Sequence, residues 1–190
     1  MRRDRIIAAA RALFHEKGYE AASTREIAHR ADVGTGTLFD YAPDKHALLM
    51  MVFYEDLDRL TVEAYATLPS HAPLIKQLMH MFAPRLAVWG ADLRLSRYAA
   101  RETFARFTQP ASEAHPRRSL LHGTILAIVR AAQERREITS AVNATDIARL
   151  FIVIYLTESR EWVQEDDADL ARAATHLERL LTISINGITL

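Results

Sequence analysis

Apolar residues recur along this chain at three- and four-residue spacing, and strict alternation of apolar with polar positions is scarce. This periodicity predicts amphipathic helices that each bury one face. Only six glycines and six prolines interrupt the pattern. The sequence therefore predicts an all-α fold of about nine helices. We place them at residues 3–17, 23–31, 34–41, 44–68, 74–89, 92–107, 116–136, 145–164 and 167–185.

The stretch from Ser23 to Lys45 has the layout of a helix-turn-helix. Ser23 and Glu26 have the spacing of a capping box, in which each side chain accepts from the other residue's backbone amide. Asp32 occupies the turn, where a left-handed backbone is expected and Asp is tolerated better than most residues. A second short helix, from about Gly34, is expected to fit the major groove of DNA.

Three residues are predicted to cap the ends of helices. Gly18 stands where a glycine cap closes the first helix, and Asp44 is a good N-cap for the fourth. Asn143 is placed as another N-cap, paired with Asp146. The clearest break in the chain is the Pro- and Ser-containing segment 69–73.

Several short motifs follow one another in a fixed order through this N-terminal region. They are Ile7-Ala8-Ala9-Ala10, Leu13-Phe14, Gly18-Tyr19, Ser23-Thr24, Ile27-Ala28, Val33-Gly34, Gly36-Thr37-Leu38-Phe39, Tyr41, Lys45 and Leu48-Leu49. Because of these motifs and their order, the segment from Arg5 to Phe53 resembles the DNA-binding domain of TetR-family transcriptional regulators. Three positions depart from the family pattern: Asp32 replaces a turn glycine, Phe39 a tyrosine and Ala42 an aromatic residue.

The resemblance implies two domains. Residues 1–50 are expected to form a three-helix helix-turn-helix DNA-binding domain, and residues 51–190 a helical bundle for ligand binding and dimerisation. The implied function is a ligand-responsive repressor that binds a palindromic operator as a dimer and is released by a small, largely apolar effector. No cofactor is expected, and the expected location is the cytoplasm.

Nine residues are candidates for contact with DNA. They are Ser23, Thr24, Arg25, Thr35, Gly36, Thr37, Phe39, Tyr41 and Lys45. Thr35 and Thr37 offer hydroxyl and methyl groups to base edges, and Gly36 permits close backbone approach. Tyr41 and Lys45 suit phosphate contacts. The alternatives are ordinary helix surface for the threonines, a solvated face for Arg25, and ring packing against the first helix for Tyr41.

Charge limits the strength of any nucleic-acid contact. The formal net charge is zero, and residues 1–50 hold eight basic and seven acidic side chains. We therefore expect few ionic contacts and a shallow dependence of DNA affinity on salt, so that a dimer reading two half-sites is needed for specificity. Arg2, Arg3 and Arg5 are candidates for a loose arm along the DNA backbone, the alternative being a frayed, solvated terminus.

The last two predicted helices carry apolar stripes suited to pairing with their copies in a second chain. These stripes are Ile147, Leu150, Phe151, Ile154, Tyr155 and Glu158 on one helix, and Leu170, Ala173, Ala174, Leu177, Leu180, Leu181 and Ile185 on the other. The alternative is that they belong to the core of a single chain. Both interpretations hold if the apolar arc is wide enough for two partners.

Aromatic and polar side chains of the middle helices are candidates for an effector pocket. They are Phe82, Trp89, Tyr98, Phe104, Phe107, His122, Tyr155 and Trp162. Such residues at helical spacing are also common in plain hydrophobic cores. If they line a pocket, it should favour a largely apolar or aromatic ligand.

Other classes of protein are disfavoured. The chain has no cysteine, so disulfides and thiolate chemistry are excluded, and no apolar run has the length of a membrane span. Its eight histidines include no pair at the i, i+4 spacing of a helical metal site. We therefore do not expect an enzyme. The remaining alternative is a non-enzymatic helical binding protein whose helix-turn-helix serves protein contact.

Overall fold

The computed structural model describes the backbone of residues 1–107 and 116–189, and the side chains of residues 1–100 and 120–189. Over these residues the chain forms nine α-helices and no β-strand, which confirms the predicted all-α fold. The helices are α1 (Arg2–Ala21), α2 (Thr24–Arg30), α3 (Thr35–Tyr41), α4 (Lys45–Ala66), α5 (Leu74–Ala91), α6 (Leu93–Phe107), α7 (Pro116–Glu134), α8 (Ala144–Gln164) and α9 (Leu170–Asn186).

The first helix breaks where the sequence predicted, at Gly18. Its φ of 78° lies in the left-handed region that glycine adopts without steric cost. One further turn then carries α1 on to Ala21, four residues beyond the predicted end. That turn leads directly into α2, whose N-cap is Ser23.

The predicted capping box and turn of the helix-turn-helix are both present. The Ser23 hydroxyl accepts from the Glu26 amide at 3.2 Å, and the Glu26 carboxylate accepts from the Ser23 amide at 3.1 Å. Asp32 has a φ of 53°, as expected for the turn. Leu38 of α3 is fully buried, so the second helix of the motif is held against the core by this side chain.

Helix α4 begins at the predicted cap, because the Asp44 carboxylate accepts from the Ala47 amide at 2.6 Å. The helix then continues without interruption to Ala66 and so crosses the expected domain boundary at residue 50. Its buried side chains contact α1 on one side and α5 and α7 on the other. Helix α4 is therefore the rigid connection between the helix-turn-helix and the remaining helices.

Two helix ends differ from the predicted ones for local reasons. Helix α7 ends at Glu134, because Arg136 adopts a left-handed φ of 57° that a helix cannot continue through. Helix α9 begins only at Leu170, because the Asp169 carboxylate caps it by accepting from the Arg172 amide at 2.6 Å. The predicted N-cap Asn143 does open α8, accepting from the Thr145 amide.

Helix α5 lies at the centre of the larger part of the fold, where it packs against α4, α7, α8 and α9. Leu78, Met81 and Phe82 on this helix are fully buried. Within residues 1–107 and 116–189, every helix is either too short or too polar to cross a lipid bilayer.

Candidate functional site

The most accessible part of the helix-turn-helix is the outer face of α3. Thr35, Gly36, Phe39 and Tyr41 are exposed, although Phe39 and Tyr41 are large rings that a protein normally covers. Thr37 is half-buried. The helix thus presents small side chains at its N-terminal end and two aromatic rings at its C-terminal end. This combination fits entry into a groove, in which small residues allow close approach.

The beginning of α2 lies within the same motif, and its three candidate residues differ in their roles. The Ser23 hydroxyl is already bonded to Glu26 in the capping box. Thr24 is half-buried, and Arg25 is exposed with no ion pair or hydrogen bond to any residue that the structure describes. Arg25 is therefore the residue of the three whose side chain is most available to a partner.

The glutamate of the capping box also holds a cation. Lys17 and Ser23 donate hydrogen bonds to the Glu26 carboxylate, and they lower its pKa from 4.5 to about 2. Lys17, Arg25, Glu26 and Arg30 line a shallow groove of about 430 Å³ between α1 and α2. The acidic group of this groove is thus neutralised by a neighbour within the chain.

Two other carboxylates within residues 1–50 are paired with arginines. Glu16 pairs with Arg30 at 2.7 Å, and Asp32 with Arg5 at 2.9 Å. The hydrogen bond from Arg30 lowers the pKa of Glu16. These ion pairs offset the charge of Glu16 and Asp32, whereas Asp40, which is exposed on α3 itself, has no ion pair within the part of the chain that the structure describes.

The interpretation of Arg2, Arg3 and Arg5 as a loose arm is wrong. All three belong to α1, and Arg3 pairs with Glu55 of α4 at 2.9 Å, just as Arg5 pairs with the turn residue Asp32. These two ion pairs fix the start of α1, so the side chains of Arg3 and Arg5 serve the fold.

Lys45 also has a contact that the sequence did not reveal. It is half-buried, its ammonium donates to the carbonyl oxygen of Glu20 at 3.0 Å, and it lies over the Tyr19 ring. A lysine has three N–H donors, so one donor used inside the chain leaves others for a phosphate. Lys45 thereby joins the start of α4 to the end of α1.

Three candidates for the effector pocket come together in the core of the larger part of the fold. The Phe82 and Tyr155 rings stack with centroids 4.7 Å apart, and the Trp89 indole N–H donates to the Tyr155 hydroxyl at 3.1 Å. Phe53 of α4 stacks on Trp89 at 5.1 Å. We call these four residues the aromatic cluster; it connects α4, α5 and α8.

Three further candidates lie outside this cluster. Tyr98 packs against Tyr19 of the helix-turn-helix at 4.5 Å between centroids. Trp162 is buried against Gly90, and His122 is half-buried on α7. Phe104 and Phe107 fall outside the residues whose side chains the structure describes.

The predicted dimerisation stripes are divided between core and surface. Ile147, Phe151 and Tyr155 of α8 and Leu177 and Leu181 of α9 are buried within the chain. By contrast, the large apolar side chains exposed on these two helices are Leu150, Leu170 and Ile183. The stripe therefore serves the intramolecular core on one side and leaves apolar surface on the other.

An open groove of about 470 Å³ lies beside this surface, between α8 and α9. Its charged side chains include Glu158 and His176, which are 2.9 Å apart, and Arg179. Burial raises the pKa of Glu158, and the charge of His176 opposes that rise. The groove mixes acidic and basic groups and has no single sign of charge.

One buried charge was missed by the sequence reasoning. Arg85 lies on α5 three residues after Phe82 and four before Trp89, and it is only 7% exposed. Its guanidinium donates to the Leu57 carbonyl of α4 at 2.8 Å and to the Thr61 hydroxyl. A basic residue in the middle of an apolar helical face was the available signal.

Comparison with known proteins supports the helix-turn-helix assignment. Residues 6–51 match the model of the bacterial regulatory proteins of the tetR family. Over 59 residues the chain is 44% identical to the HTH-type transcriptional repressor KstR of Rhodococcus jostii, a match that covers 31% of this chain and 28% of KstR. It is 33% identical over 88 residues to the HTH-type transcriptional regulator HbdR of Aromatoleum sp., covering 46% of this chain and 36% of HbdR. The chain thus spans less than two fifths of the length of these two relatives.

Solved structures resemble the whole fold. Thermus thermophilus FadR, a TetR-family repressor in complex with lauroyl-CoA, aligns with a TM-score of 0.75 at 23% identity, over 95% of this chain and 93% of FadR. Salmonella enterica GusR aligns with a TM-score of 0.61 at 25% identity, over 97% and 95% of the two chains. Residues 6–51 thus carry a helix-turn-helix of the tetR-family type, and the arrangement of the helices resembles that of solved TetR-family structures.

Proposed function

We propose that this protein is a ligand-responsive transcriptional repressor that binds a palindromic operator as a homodimer and releases it when a small, largely apolar effector binds. The observation that carries the proposal is α3, a short helix anchored by one buried leucine, Leu38, with its opposite face exposed. Thr35 and Thr37 contact base edges, and Gly36 allows the backbone to approach them. Tyr41 and Lys45 bind phosphates and set the register.

The remaining candidates for DNA contact have supporting roles in this proposal. Arg25, which is exposed and without an ion pair in the described part of the chain, contacts a base or a phosphate. Ser23 and Thr24 place the start of α2 near the DNA backbone. Phe39 is exposed and covers the sugar–phosphate edge of the groove with its ring.

A second copy of the chain is proposed to cover the outer surface of α8 and α9. Leu150 and Ile183 are 45% and 62% exposed there, and pairing these two helices with their copies makes a four-helix interface. A twofold dimer carries two copies of α3, the helix proposed to enter the major groove, and relates them by its symmetry axis. This arrangement fits a palindromic operator.

The proposed release mechanism is a shift between two conformations. The effector binds more tightly to the conformation in which the distance between the two α3 helices does not match that between successive half-sites of the operator. Helix α4 transmits the change, because it runs without a break from the helix-turn-helix to the aromatic cluster. FadR of Thermus thermophilus and FadR of Bacillus subtilis are described in complex with lauroyl-CoA and stearoyl-CoA, respectively, and acyl-CoA esters are therefore reasonable first probes.

DNA binding is tested with the DNA immediately upstream of the protein's own coding sequence. We expect a gel shift at low salt, and we expect Thr37→Ala and Lys45→Ala to weaken it while the far-UV circular dichroism stays helical. The matched control is Lys76→Ala, which removes a lysine far along the chain on α5. A folded protein that shifts no such DNA at low salt would instead support a helical binding protein whose helix-turn-helix contacts another protein.

The dimer is tested separately by light scattering after size exclusion. We expect the wild-type chain to elute as a dimer and Ile183→Glu to elute as a monomer, because a charge at a buried interface is strongly unfavourable. Val62→Glu on α4 is the matched control, since Val62 is 58% exposed, close to the value for Ile183. A wild-type monomer at micromolar concentration would refute the proposed dimer.

A further inference from the structure

The guanidinium of Arg85 is buried among neutral groups. Among the described residues its hydrogen-bond partners are the Leu57 carbonyl and the Thr61 hydroxyl, both on α4. Its Nε atom is buried and has no hydrogen-bond partner. The Tyr155 ring lies 5.6 Å away. One edge of a planar donor group is therefore unused in the interior of the fold.

This arrangement is energetically unusual, because arginine stays protonated in proteins and a buried charge is normally paired. Within residues 1–100 and 120–189, no carboxylate lies within ion-pair distance of Arg85. Arg97 shows the contrast: it is half-buried, and its Nε and Nη2 atoms donate to the Val163 and Glu165 carbonyls at the end of α8. The Arg97 donors meet the negative end of a helix, whereas Arg85 has no anionic partner among the side chains that the structure describes.

We propose that Arg85 binds the carboxylate of the effector, and that the effector is therefore an apolar carboxylic acid. This inference rests on the proposed function. A carboxylate accepts two parallel hydrogen bonds from a guanidinium, and the Nε edge is free to supply one of them. The apolar part of the ligand packs on the aromatic cluster, since Phe82 and Trp89 flank Arg85 on α5 and Tyr155 faces its guanidinium.

The same side chain also explains how binding reaches the DNA. Arg85 holds α4 at Leu57 and Thr61, and Leu57 lies about 18 Å along the helix axis from Lys45, by the rise of an α-helix. A carboxylate on the Nε edge draws the guanidinium towards itself and thereby weakens the two hydrogen bonds from Nη1 to these α4 oxygens. Ligand binding thus changes the hydrogen bonds between α5 and α4, the helix that is connected to the helix-turn-helix.

The test compares one acid with its neutral analogue on the full-length protein. Decanoate and decanol are titrated by calorimetry into the wild-type chain and into Arg85→Met, which keeps a similar volume without the charge. We expect decanoate to bind the wild type about tenfold or more tightly than Arg85→Met, and decanol to bind both equally. Arg94→Met, at an arginine whose side chain is 80% exposed on α6, is the matched control and should bind like the wild type.

Three results would overturn the inference, and the third concerns a thioester. One is equal affinity of the wild type for decanoate and decanol, a comparison that remains valid even if Arg85→Met does not fold. The second is failure of decanoate, octanoate and 4-phenylbutyrate to bind the wild type at all. The third is binding of decanoyl-CoA, whose chain lacks a free carboxylate, in place of these acids.

Operator binding without any ligand separates this inference from the proposed function. If the wild type binds its upstream DNA and no acid releases it, the assignment of the effector fails and the repressor stands. If the wild type does not bind that DNA, the proposed function fails. If the proposed function and this inference are both correct, Arg85→Met should bind the DNA. It should also stay bound at decanoate concentrations that release the wild type.

Discussion

The ammonium of Lys45 lies 4.5 Å from the centroid of the Tyr19 ring, directly over its face. The contact joins the start of α4 to the last turn of α1. It also positions the ammonium next to the helix-turn-helix, where a DNA phosphate is expected. Lys45 thus combines a structural contact with a proposed DNA contact, and the two roles have different experimental signatures.

Replacing Lys45 with Gln should make DNA binding less dependent on salt. Loss of one phosphate contact reduces the slope of log K against log salt by about 0.9. Loss of the cation–π contact should also lower the free energy of unfolding by about 0.5–1 kcal/mol. The measurement is fluorescence anisotropy with upstream DNA at several KCl concentrations, and Lys76→Gln should leave the slope unchanged. A lower melting temperature with an unchanged slope would mean that Lys45 serves the fold alone.

Gly36→Ala should separate stability from DNA binding. A Cβ at position 36 meets no atom within 4 Å, and alanine is favoured over glycine in a helix by about 0.5–1 kcal/mol, so the folded state should become more stable. The added methyl group would occupy space that the DNA backbone or a base needs, so operator affinity should fall by about tenfold. Urea denaturation and anisotropy measure the two effects. Operator affinity equal to that of the wild type would show that Gly36 lies outside the interface.

Gly90→Ala should destabilise the protein. A Cβ at position 90 would lie 3.0 Å from Cη2 of Trp162, and Trp162 is too deeply buried to move aside freely. Overpacking of this kind costs about 1–3 kcal/mol. Gly123→Ala on α7 is the matched control, because a Cβ there meets nothing within 4 Å and should stabilise the helix. Urea denaturation followed by tryptophan fluorescence should therefore give opposite signs for the two variants; equal stabilities would contradict the packing argument.

The capping box of α2 should make stability depend on pH in the acid range. Hydrogen bonds from Lys17 and Ser23 lower the pKa of Glu26 to about 2, below its ordinary value of 4.5. A carboxyl whose pKa is lower in the folded state stabilises the fold fully above about pH 4.5 and loses that contribution as the pH falls towards about 2.

Glu26→Gln removes this titration while keeping an oxygen acceptor for the Ser23 amide. We expect the wild type to melt at a higher temperature than the variant at pH 7, and the difference to narrow steadily between pH 4.5 and the lowest pH at which both remain folded. Glu63→Gln is a suitable control, since this carboxylate pairs only with an exposed arginine, Arg59, in the described structure. A constant difference between wild type and Glu26→Gln at all pH values would contradict the assignment.

Local features of residues 1–50 could be predicted because they depend on residues that are close together in the sequence. The capping box needs two residues three apart, the left-handed turn at Asp32 needs a residue that tolerates it, and the break at Gly18 needs a glycine. For the same reason the helix order was correct over the described residues. Boundaries that depend on one side chain closing a cap, such as Asp169 at the start of α9, were missed by a few residues.

The partners of long side chains could not be predicted in the same way. Charge counting in residues 1–50 gave a nearly neutral head, but only the fold showed that Arg5 neutralises Asp32 and that Arg3 reaches Glu55. The residues in each of these pairs are far apart in the sequence, so their approach depends on how α1, α2 and α4 pack. The same is true of Tyr98, placed beside Tyr19, and of the aromatic cluster.

The sequence by itself determined the all-α fold, the helix-turn-helix and its anchoring leucine, since helical periodicity and local hydrogen bonds are fixed by short spacings along the chain. Only the tertiary structure decided that Arg85 donates to α4 and to no carboxylate of the described residues, and that part of the α8 and α9 stripes is already used inside the chain. The physical reason is that burial and ion pairing depend on which helices meet, and helix packing brings together residues that no local pattern relates.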